Sequence, residues 1–485
     1  MNKQYIKYLF GAVLVVEGFL LLLSSIVAIV YKENVFGIYL TIGIIECIVG
    51  FLLSRKKPNV PNIYAKEGLI IVAFSWIELS IIGAIPFVVT GEIPSFIDAL
   101  FEVTSGFTTT GSSILSNVEA LTRTSLFFRS FTHFVGGMGV LVFVLAVLPT
   151  SASGMHVMRA ESPGPTVGKF VSKLSNTARI LYLIYAFMTF VELVVLMILG
   201  LPFYDAINIA LETAGTGGFS IYNSSLGSFS APILITVSIF MILFGINFNV
   251  YFLILIKKAK DAFKCEELRV YLGIIVVSII LIAFNINTMY NNIAYSFEHS
   301  LFQVASIITT TGFSSVDFDL WPTFSKTILV LLMFCGACAG STGGGIKVSR
   351  IVIMIKDCAN SIRQVAHPRT VKVLQFESKP VEKEVVHSIK NYICIYVLIF
   401  MLSMLIISID NFDFTTNFTA VAATLNNIGP GLMKVGPTCN FSGFSSLSKL
   451  VLIFDMLAGR LELMPMLVLF SPFIYKHDFK SSFNK

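Results

Sequence analysis

Long apolar stretches separated by short polar segments run along most of the 485-residue chain. The first two stretches predict helices over about residues 6–31 and 35–54. Runs of about 18 or more largely apolar residues are long enough to cross a hydrocarbon core about 30 Å thick. The pattern therefore predicts an all-α polytopic membrane protein. Its first helix is interpreted as retained, because its apolar run is too long for a cleaved signal peptide.

One pattern then recurs four times after the basic turn at 55–57. It is a long apolar helix, a shorter and less apolar segment, a Gly/Thr-rich loop, and a return helix. The short segments cannot span a bilayer, and irregular backbone at membrane depth is tolerated only when buried or lining a cavity. The chain is therefore predicted to form four pseudo-repeated helix–pore loop–helix units around a central pore, plus two N-terminal helices. The predicted boundaries are 1–57 for the N-terminal pair and 58–150, 151–257, 258–356 and 357–485 for the units.

The four return helices are predicted to be long and apolar. Their expected positions are about 125–149, 230–256, 326–356 and 448–473.

Each unit has a glycine at the same place after its short segment. The loops read TTTGS from 108, TGGFS from 216, TTGFS from 310 and NIGPG from 427. A dehydrated cation needs several close oxygens, and backbone carbonyls supply them where glycine removes the Cβ that opposes the required conformation. A calcium site is disfavoured because the loops contain no carboxylate. The predicted cation-binding filter residues are Thr109, Thr110, Gly111, Thr216, Gly217, Gly218, Thr310, Thr311, Gly312, Asn427, Ile428 and Gly429.

Two alternatives apply to these loops. A single such loop is typical of a polar turn between helices, but four loops at matching places favour a shared site. The double glycine of the second loop leaves its register open by one residue.

A second glycine-rich stretch interrupts the third return helix, with five glycines among residues 336–345. Glycine disfavours helix by about 1 kcal/mol relative to alanine, so a break near mid-membrane is predicted. We interpret the loop as a gate below the filter, and close helix packing through small residues is the alternative. The candidate gate residues are Gly340, Ser341, Thr342, Gly343, Gly344 and Gly345.

Arg460 is a cation inside the fourth predicted return helix. A charge at this depth is costly and predicts a function by default. We expect it to raise a barrier to cations below the filter and to contact the gate loop. Pairing with Glu462 or Asp455, or with loop carbonyls, is the alternative.

Other polar residues are assigned supporting roles. Glu102, Glu212 and Asp205 are predicted to brace the loops, and attraction of cations is the alternative. Asp317 and Asp319 follow the third filter loop, where acidic groups enrich cations at the mouth. His133 is predicted to be a packed polar residue. With no credible hydrolase triad, metal cluster or nucleotide fingerprint, the chain is not predicted to be an enzyme.

Composition and charge agree with a membrane location. Hydrophobic residues make up 55% of the chain and charged residues only 13%, whereas soluble domains contain about 25% charged residues. Most Lys and Arg lie in the segments that we assign to the inner side, which places both termini in the cytoplasm by the positive-inside rule. Nucleic-acid binding is disfavoured, because the sequence shows no clustered basic face with stacking groups. The Lys and Arg residues that are not assigned to the inner side are Lys32, Arg123, Arg129, Lys326, Lys434 and Lys449 in outer segments and Arg460 in a span.

Several strings of the chain together resemble the Trk/Ktr/HKT superfamily of potassium transporters, most closely its bacterial TrkH branch. The resemblance covers nearly the whole chain. It implies potassium uptake through filter glycines Gly111, Gly218, Gly312 and Gly429, a gating loop at 340–345 and a pore arginine at Arg460. Because the first filter position is glycine and not serine, it implies selectivity for potassium over sodium. The strings lie at 101–113, 129–131, 136–139, 216–220, 309–314, 340–347, 426–431 and 459–462.

The resemblance also implies an assembly. It implies a homodimer in the bacterial cytoplasmic (inner) membrane, with a cytosolic TrkA-like regulatory subunit that carries the nucleotide. No covalently bound cofactor is implied, and potassium is the metal ion concerned. Channel-like conduction and proton- or sodium-coupled symport are both compatible with the sequence. The alternatives are KdpA, the potassium-binding subunit of a P-type pump, which shares a four-repeat pore, and a membrane-embedded enzyme.

Overall fold

The computed structural model describes residues 3–56, 65–139, 174–368 and 373–471. Helices dominate this part of the chain. The N-terminal pair comprises the helices Lys3–Tyr31 and Phe36–Ser54. Two positions bring their backbones together, because a Cβ added to Gly11 would lie 2.6 Å from the carbonyl oxygen of Gly50, and one added to Gly18 would lie 2.7 Å from that of Gly43. Small residues at a crossing let membrane helices approach closely.

Four units of the predicted kind follow, each with an outer helix, a pore helix, a filter loop and a return helix. The outer helices are Ala65–Gly83 with Ile85–Thr90, Leu174–Ile198, Glu266–Tyr290 and Lys383–Ile407. The pore helices are Phe96–Phe107, Phe203–Gly215, Ile293–Ile308 and Phe414–Leu425. The return helices are Arg123–Gly137, Ala231–Phe244 with Phe248–Leu255, Thr323–Cys335 with Val348–Ala366, and Ser446–Arg460 with Met464–Phe470.

The remaining described elements are short. They are the helix Ala259–Lys264, the 3₁₀ turns Val118–Ala120, Phe318–Leu320, Ser408–Asp410 and Met433–Val435, and an antiparallel hairpin of β1, Gln375–Phe376, and β2, Lys379–Pro380.

The lengths of the helices match a membrane. Six described helices are long and apolar enough to span one, and a seventh qualifies if a bent pair in the second unit counts as one span. They are Ile6–Tyr31, Phe36–Ser54, Gly68–Thr90, Arg179–Ile198, Glu266–Tyr290 and Lys383–Asp410. The chain is thus an all-α polytopic membrane protein of four pore-loop units and an N-terminal pair, as the sequence predicts.

Return helices were predicted to be more continuous than they are. The expected break in the third occupies 336–347. The second, however, is also broken, with an 88° bend between Phe244 and Phe248, and the fourth breaks between Arg460 and Met464. The described part of the first ends at Gly137, and its predicted continuation over 140–149 lies outside the described residues.

Side chains at the start of three pore helices fix where those helices begin. Ser95 accepts a hydrogen bond from the Asp98 backbone N–H, and Asp413 accepts one from that of Thr416. Asn292 caps the third pore helix in the same way. Such caps satisfy N–H groups that have no partner within the helix. The pore helices are largely buried and therefore place their C-terminal ends, and the loops after them, at the centre of the bundle.

Candidate filter and gate

All four pore helices end in the same hydrogen-bonded turn. In the first, the Thr109 N–H donates to the Gly106 oxygen at 3.0 Å and the Thr110 N–H donates to Ser105 at 2.9 Å. This pair of bonds defines a Schellman motif. The first residue after the helix cap has positive φ in this motif and is therefore usually glycine. Here that residue is Thr109, Thr216, Thr310 or Asn427, with φ between 53° and 59°. A β-branched residue is strained in this conformation.

The filter glycine lies two residues after each of these positions and also has positive φ. The four angles are 79° at Gly111, 71° at Gly218, 89° at Gly312 and 104° at Gly429. The intervening residue is absent from the positive-φ set in every loop. The second loop therefore aligns with the others through Gly218, and Gly217 takes the position of the intervening residue.

The four loops form a closed ring. A Cβ built on the glycine of one loop would lie against the carbonyl oxygen that precedes the glycine of the next loop, only 2.0 Å away at three junctions and 2.8 Å away at the fourth. Side chains are thereby excluded at all four positions. The glycine–carbonyl pairs are Gly111 with Gly217, Gly218 with Thr311, Gly312 with Ile428, and Gly429 with Thr110.

Hydroxyl and amide side chains support the ring from behind. The Thr108 and Thr110 hydroxyls lie 2.8 Å apart, and those of Thr309 and Thr311 lie 2.7 Å apart. In the fourth loop Asn427 takes over this role, since its Nδ2 donates to the Thr110 hydroxyl at 2.9 Å. This last bond joins the first and fourth loops.

Glu102 braces the first loop, as predicted. Its carboxylate accepts hydrogen bonds from the Ser113 hydroxyl and the Ile114 N–H, both at 2.9 Å, and pairs with Arg129 at 2.8 Å. Arg129 also lies over the Phe219 ring of the second loop, 4.0 Å from its centroid. Both charged side chains are almost fully buried. The pair therefore fixes the first and second loops relative to each other.

We expect Glu102→Ala to lower the free energy of unfolding by about 3–5 kcal/mol, because it leaves the Arg129 charge buried without its partner. Lys326→Gln, which removes the partly exposed pair with Asp319, should cost only about 0–1 kcal/mol. Denaturation of both variants in detergent measures the difference. Equal effects in the two variants would contradict the bracing role.

Of the other two predicted braces, Asp205 contacts a residue that follows the second filter loop, whereas Glu212 contacts the first return helix, and bracing of a loop by Glu212 stays a prediction. Glu212 accepts a hydrogen bond from Ser130 at 2.6 Å, and Asp205 accepts one from the Tyr222 hydroxyl at 2.9 Å. His133 is buried and stacks on Phe219, with 4.3 Å between ring centroids. Its ring occupies the space that a side chain at Gly217 would need. His133 is thus a packed residue, as predicted.

A cavity of about 190 Å³ lies outside the ring and includes all four filter glycines in its lining. The described lining residues are otherwise mostly small, hydroxyl-bearing or amide residues, with no carboxylate among them. Asp317 and Asp319, expected to enrich cations at the mouth, accept hydrogen bonds from Thr438 and the Met433 N–H. They hold together the outer loops of the third and fourth units.

The gate loop lies directly on the pore-helix ends of the third and fourth units. The Gly344 N–H donates to the Thr310 hydroxyl at 2.6 Å, and the Gly345 N–H donates to the Asn426 oxygen at 3.1 Å. A Cβ on Gly343 would lie 2.7 Å from the Thr309 oxygen. Only glycines fit at this contact, so the loop sits immediately beneath the filter.

The broken second return helix holds the other end of the gate loop. The Cys338 N–H donates to the Gly245 oxygen at 3.1 Å, and the Phe248 N–H donates to the Gly340 oxygen at the same distance. Thr342 Oγ1 donates to the Phe244 oxygen at 3.2 Å. Backbone groups freed by the 88° bend are thus satisfied by the gate loop.

Arg460 connects the gate loop to the first unit. Its guanidinium donates to the Thr342 oxygen at 2.8 Å, to the Gly137 oxygen at 2.6 Å and to the Gly136 oxygen. Glu462 pairs with Arg350, and Asp455 accepts a hydrogen bond from Ser403. The predicted contact with the gate loop is therefore present, and it is made through carbonyls.

The structure thus brings the predicted filter residues together in one ring and places the predicted gate residues below it. In the described part of the chain, no group of three or more His, Cys, Asp or Glu side chains is suited to a metal ion. Sequence reasoning missed Gly245 and Phe248 as partners of the gate loop, because the segment was interpreted as one continuous helix. The available signal was Gly245 followed by Asn247, whose side chain caps the helix that starts at Phe248.

Relatives of the chain are found along its whole length. The model of the TrkH family, described as a cation transport protein, matches residues 36–477. The chain belongs to the TrkH family of cation transport proteins. Membership in the TrkH family makes it a transport protein and not an enzyme.

Individual TrkH-family proteins cover nearly all of the chain. The Trk system potassium uptake protein TrkH of Salmonella typhimurium is 32% identical, over 98% of this chain and 100% of the relative. TrkG of Escherichia coli K12, also named a Trk system potassium uptake protein, is 33% identical with the same coverage. The crystal structure of the potassium transporter TrkH from Vibrio parahaemolyticus is similar with a TM-score of 0.89 and 30% identity, over 98% of this chain and 100% of that one.

Proposed function

We propose that the chain takes up potassium ions through the ring of four filter loops. The ring itself is the observation that carries this proposal, because four loops from four units share one backbone conformation and close on one another. Positive φ at alternate residues turns successive carbonyls toward one side of the chain, which we assign to the pore axis. Rings of carbonyl oxygens of this kind replace the hydration shell of a potassium ion in channels.

The electrostatics of the ring suit a monovalent cation. Each pore helix ends at its filter loop, so the partly negative C-terminal end of the helix faces the ion. With carbonyls as ligands and no carboxylate in the described mouth cavity, the site lacks the acidic oxygens typical of calcium sites. The names of the Salmonella and Escherichia relatives as potassium uptake proteins support potassium as the ion. Glycine at position 111, where some relatives with sodium preference are expected to carry serine, supports selectivity over sodium.

Flow through this filter is controlled, in our proposal, by the gate loop and Arg460. The loop occupies the space under the filter, and three carbonyl bonds from Arg460 hold it against the first unit. Displacing the loop would open a path below the ring. The positive charge of Arg460 adds a barrier to cations at the same level.

We further propose that the protein is a homodimer in the bacterial cytoplasmic membrane, with both termini in the cytoplasm. The concentration of Lys and Arg on the side away from the mouth cavity supports this orientation. A cytosolic TrkA-like subunit that binds the nucleotide would dock on that basic side. Mass measurement in detergent tests the dimer, and co-purification with a TrkA-like subunit tests the partner.

Flux into proteoliposomes is the decisive experiment. The reconstituted protein is expected to take up potassium at least about tenfold faster than sodium, which corresponds to about 1.4 kcal/mol of discrimination. Vesicles that contain a protein with Gly312→Ser serve as the control for the filter. Uptake no faster than in empty vesicles, with the folded protein present, would contradict the proposal. Repeating the assay with an imposed proton or sodium gradient separates channel-like conduction from symport.

A further inference from the structure

A single buried carboxylate holds the two ends of the gate loop together. Glu267 lies in the first turn of the third outer helix and is 3% exposed. Its Oε1 accepts a hydrogen bond from the Ala339 N–H at 2.7 Å and from the Ser349 N–H at 3.1 Å. Ala339 lies in the break at 336–347, immediately before the gate loop, and Ser349 lies in the first turn of the helix that follows the loop.

This geometry suits a carboxylate for two reasons. The first N–H groups of a helix have no partner within the helix, and negative charge is favoured at that end. Hydrogen bonds to a charged oxygen are also stronger than neutral ones. The bond from the Ser349 N–H to Glu267 therefore fixes the start of the helix that follows the loop. The bond from the Ala339 N–H fixes the segment that leads into the loop.

The β-hairpin positions Glu267 from outside the membrane. Glu377, at the tip of the hairpin, accepts a hydrogen bond from the Glu267 backbone N–H at 3.2 Å and from the Cys265 thiol at 3.0 Å. Lys356 ties the same hairpin to the helix after the gate loop, since it donates to the Gln375 oxygen at 2.9 Å and pairs with Glu266 at 2.5 Å.

The hairpin tip is held in a conformation that its residues do not favour. Glu377 and Ser378, the two residues between β1 and β2, have φ of 55° and 59°. Two positive φ values occur in type I′ turns, where Asn and Gly are preferred. The contacts of Glu377 with the start of the outer helix offset part of the cost of this turn. The hairpin and the outer helix are therefore mechanically coupled.

We propose that Glu267 is a positioning residue that keeps the gate loop closed, and that the hairpin Gln375–Pro380 sets its position through Glu377. In the proposed orientation the hairpin lies on the cytosolic side. A displacement of the hairpin there moves the gate loop without any contact with the filter. The inference rests on the proposed function of the gate loop. It adds a route, from the hairpin to Glu267 and then to Ala339, by which the gate is regulated.

Potassium flux through the Glu267→Ala variant in proteoliposomes tests the proposed connection from the hairpin through Glu267 to the gate loop. We expect basal potassium flux to rise by at least about tenfold, because charge-assisted hydrogen bonds to the gate segment are lost, with the potassium-to-sodium ratio unchanged. Glu377→Ala should act in the same direction. The double variant should not exceed Glu267→Ala, because residues in one network are not additive. Glu384→Gln, which neutralises an exposed carboxylate near the hairpin, is the matched control and should leave flux unchanged.

Hydrogen exchange of the full-length protein supplies a second readout. Amides of the gate loop should exchange faster in Glu267→Ala and Glu377→Ala, while those of the filter loops should not change. If Glu267→Ala does not fold, Glu267→Gln and Glu377→Ala carry the same test. Unchanged flux and unchanged exchange in folded variants would overturn the route. Absence of potassium flux in the unmodified protein would instead overturn the proposed function, and the exchange result would still decide whether Glu267 positions the loop.

Discussion

Gly312→Ser is expected to reduce the discrimination between potassium and sodium by at least about tenfold, which corresponds to about 1.4 kcal/mol. A side chain at this position would lie 2.0 Å from the Ile428 carbonyl oxygen, so that oxygen must leave the ring. The left-handed conformation adds roughly 1–2 kcal/mol of strain for any L-residue with a side chain. Competitive uptake of potassium and sodium into proteoliposomes measures the change.

Two further glycines separate the causes of this effect. Gly91 has φ of 76° but open space around its Cβ position, so Gly91→Ala carries the strain without the clash and should keep the wild-type selectivity. Gly429→Ser places its Cβ 2.8 Å from the Thr110 oxygen and should lose less selectivity than Gly312→Ser. A wild-type ratio in Gly312→Ser, or an equal loss in all three variants, would refute the assignment of the ring.

Arg460→Ala is expected to raise potassium flux by about tenfold, since losing even one charge-assisted hydrogen bond costs roughly 1.5–3 kcal/mol. Arg460 joins the gate loop to the first unit, because it donates to the Thr342 oxygen on one side and to the Gly136 and Gly137 oxygens on the other. Without these bonds the loop is released from the space below the filter. Initial rates of uptake in proteoliposomes provide the measurement.

Conservative substitution tells the two roles of Arg460 apart. Lysine keeps the charge but cannot bridge several carbonyls with a planar fork of donors. If bridging keeps the gate closed, Arg460→Lys should resemble Arg460→Ala; if the charge is the barrier, it should resemble the wild type. Arg363→Ala, which removes an exposed cation on the helix after the gate loop, should not change flux. A wild-type rate in Arg460→Ala would rule out both roles.

The filter could be anticipated because its signal is local. A glycine that follows a short helix at the same place in four units reports a backbone requirement, and that requirement appears in the structure as positive φ at each of the four glycines. The break in the third return helix was equally visible as a cluster of glycines. Both features follow from the conformational preferences of single residues, which the sequence states directly.

Features that depend on distant partners could not be anticipated. The bond from Asn427 to Thr110 joins residues separated by 317 positions, and nothing near either residue announces the other. The bend after Phe244 lies in a segment that was predicted as one helix from its high hydropathy. Gly245, Asn247 and Asn249 interrupt its apolar residues, but they do not specify a bend of 88°. Its freed carbonyls are satisfied by the gate loop, and the bend is therefore a tertiary property.

The Schellman turns show a third kind of limit. Sequence reasoning treated Thr109, Thr216 and Thr310 as sources of hydroxyl ligands or loop support. The structure gives them positive φ, a conformation that threonine disfavours and that propensity rules would not assign to it. Local preference is overridden here because the surrounding helices fix both ends of each turn.

One junction of the ring differs from the other three. Between the fourth and first loops, a Cβ on the glycine would lie 2.8 Å from the neighbouring carbonyl oxygen, where the other junctions leave 2.0 Å. Two side-chain hydrogen bonds cross this junction, from Asn427 to the Thr110 hydroxyl and from Ser112 to the Gly429 oxygen. The fourfold symmetry of the ring is therefore only approximate, because side chains join the first and last units of the repeated sequence while close backbone approach joins the others.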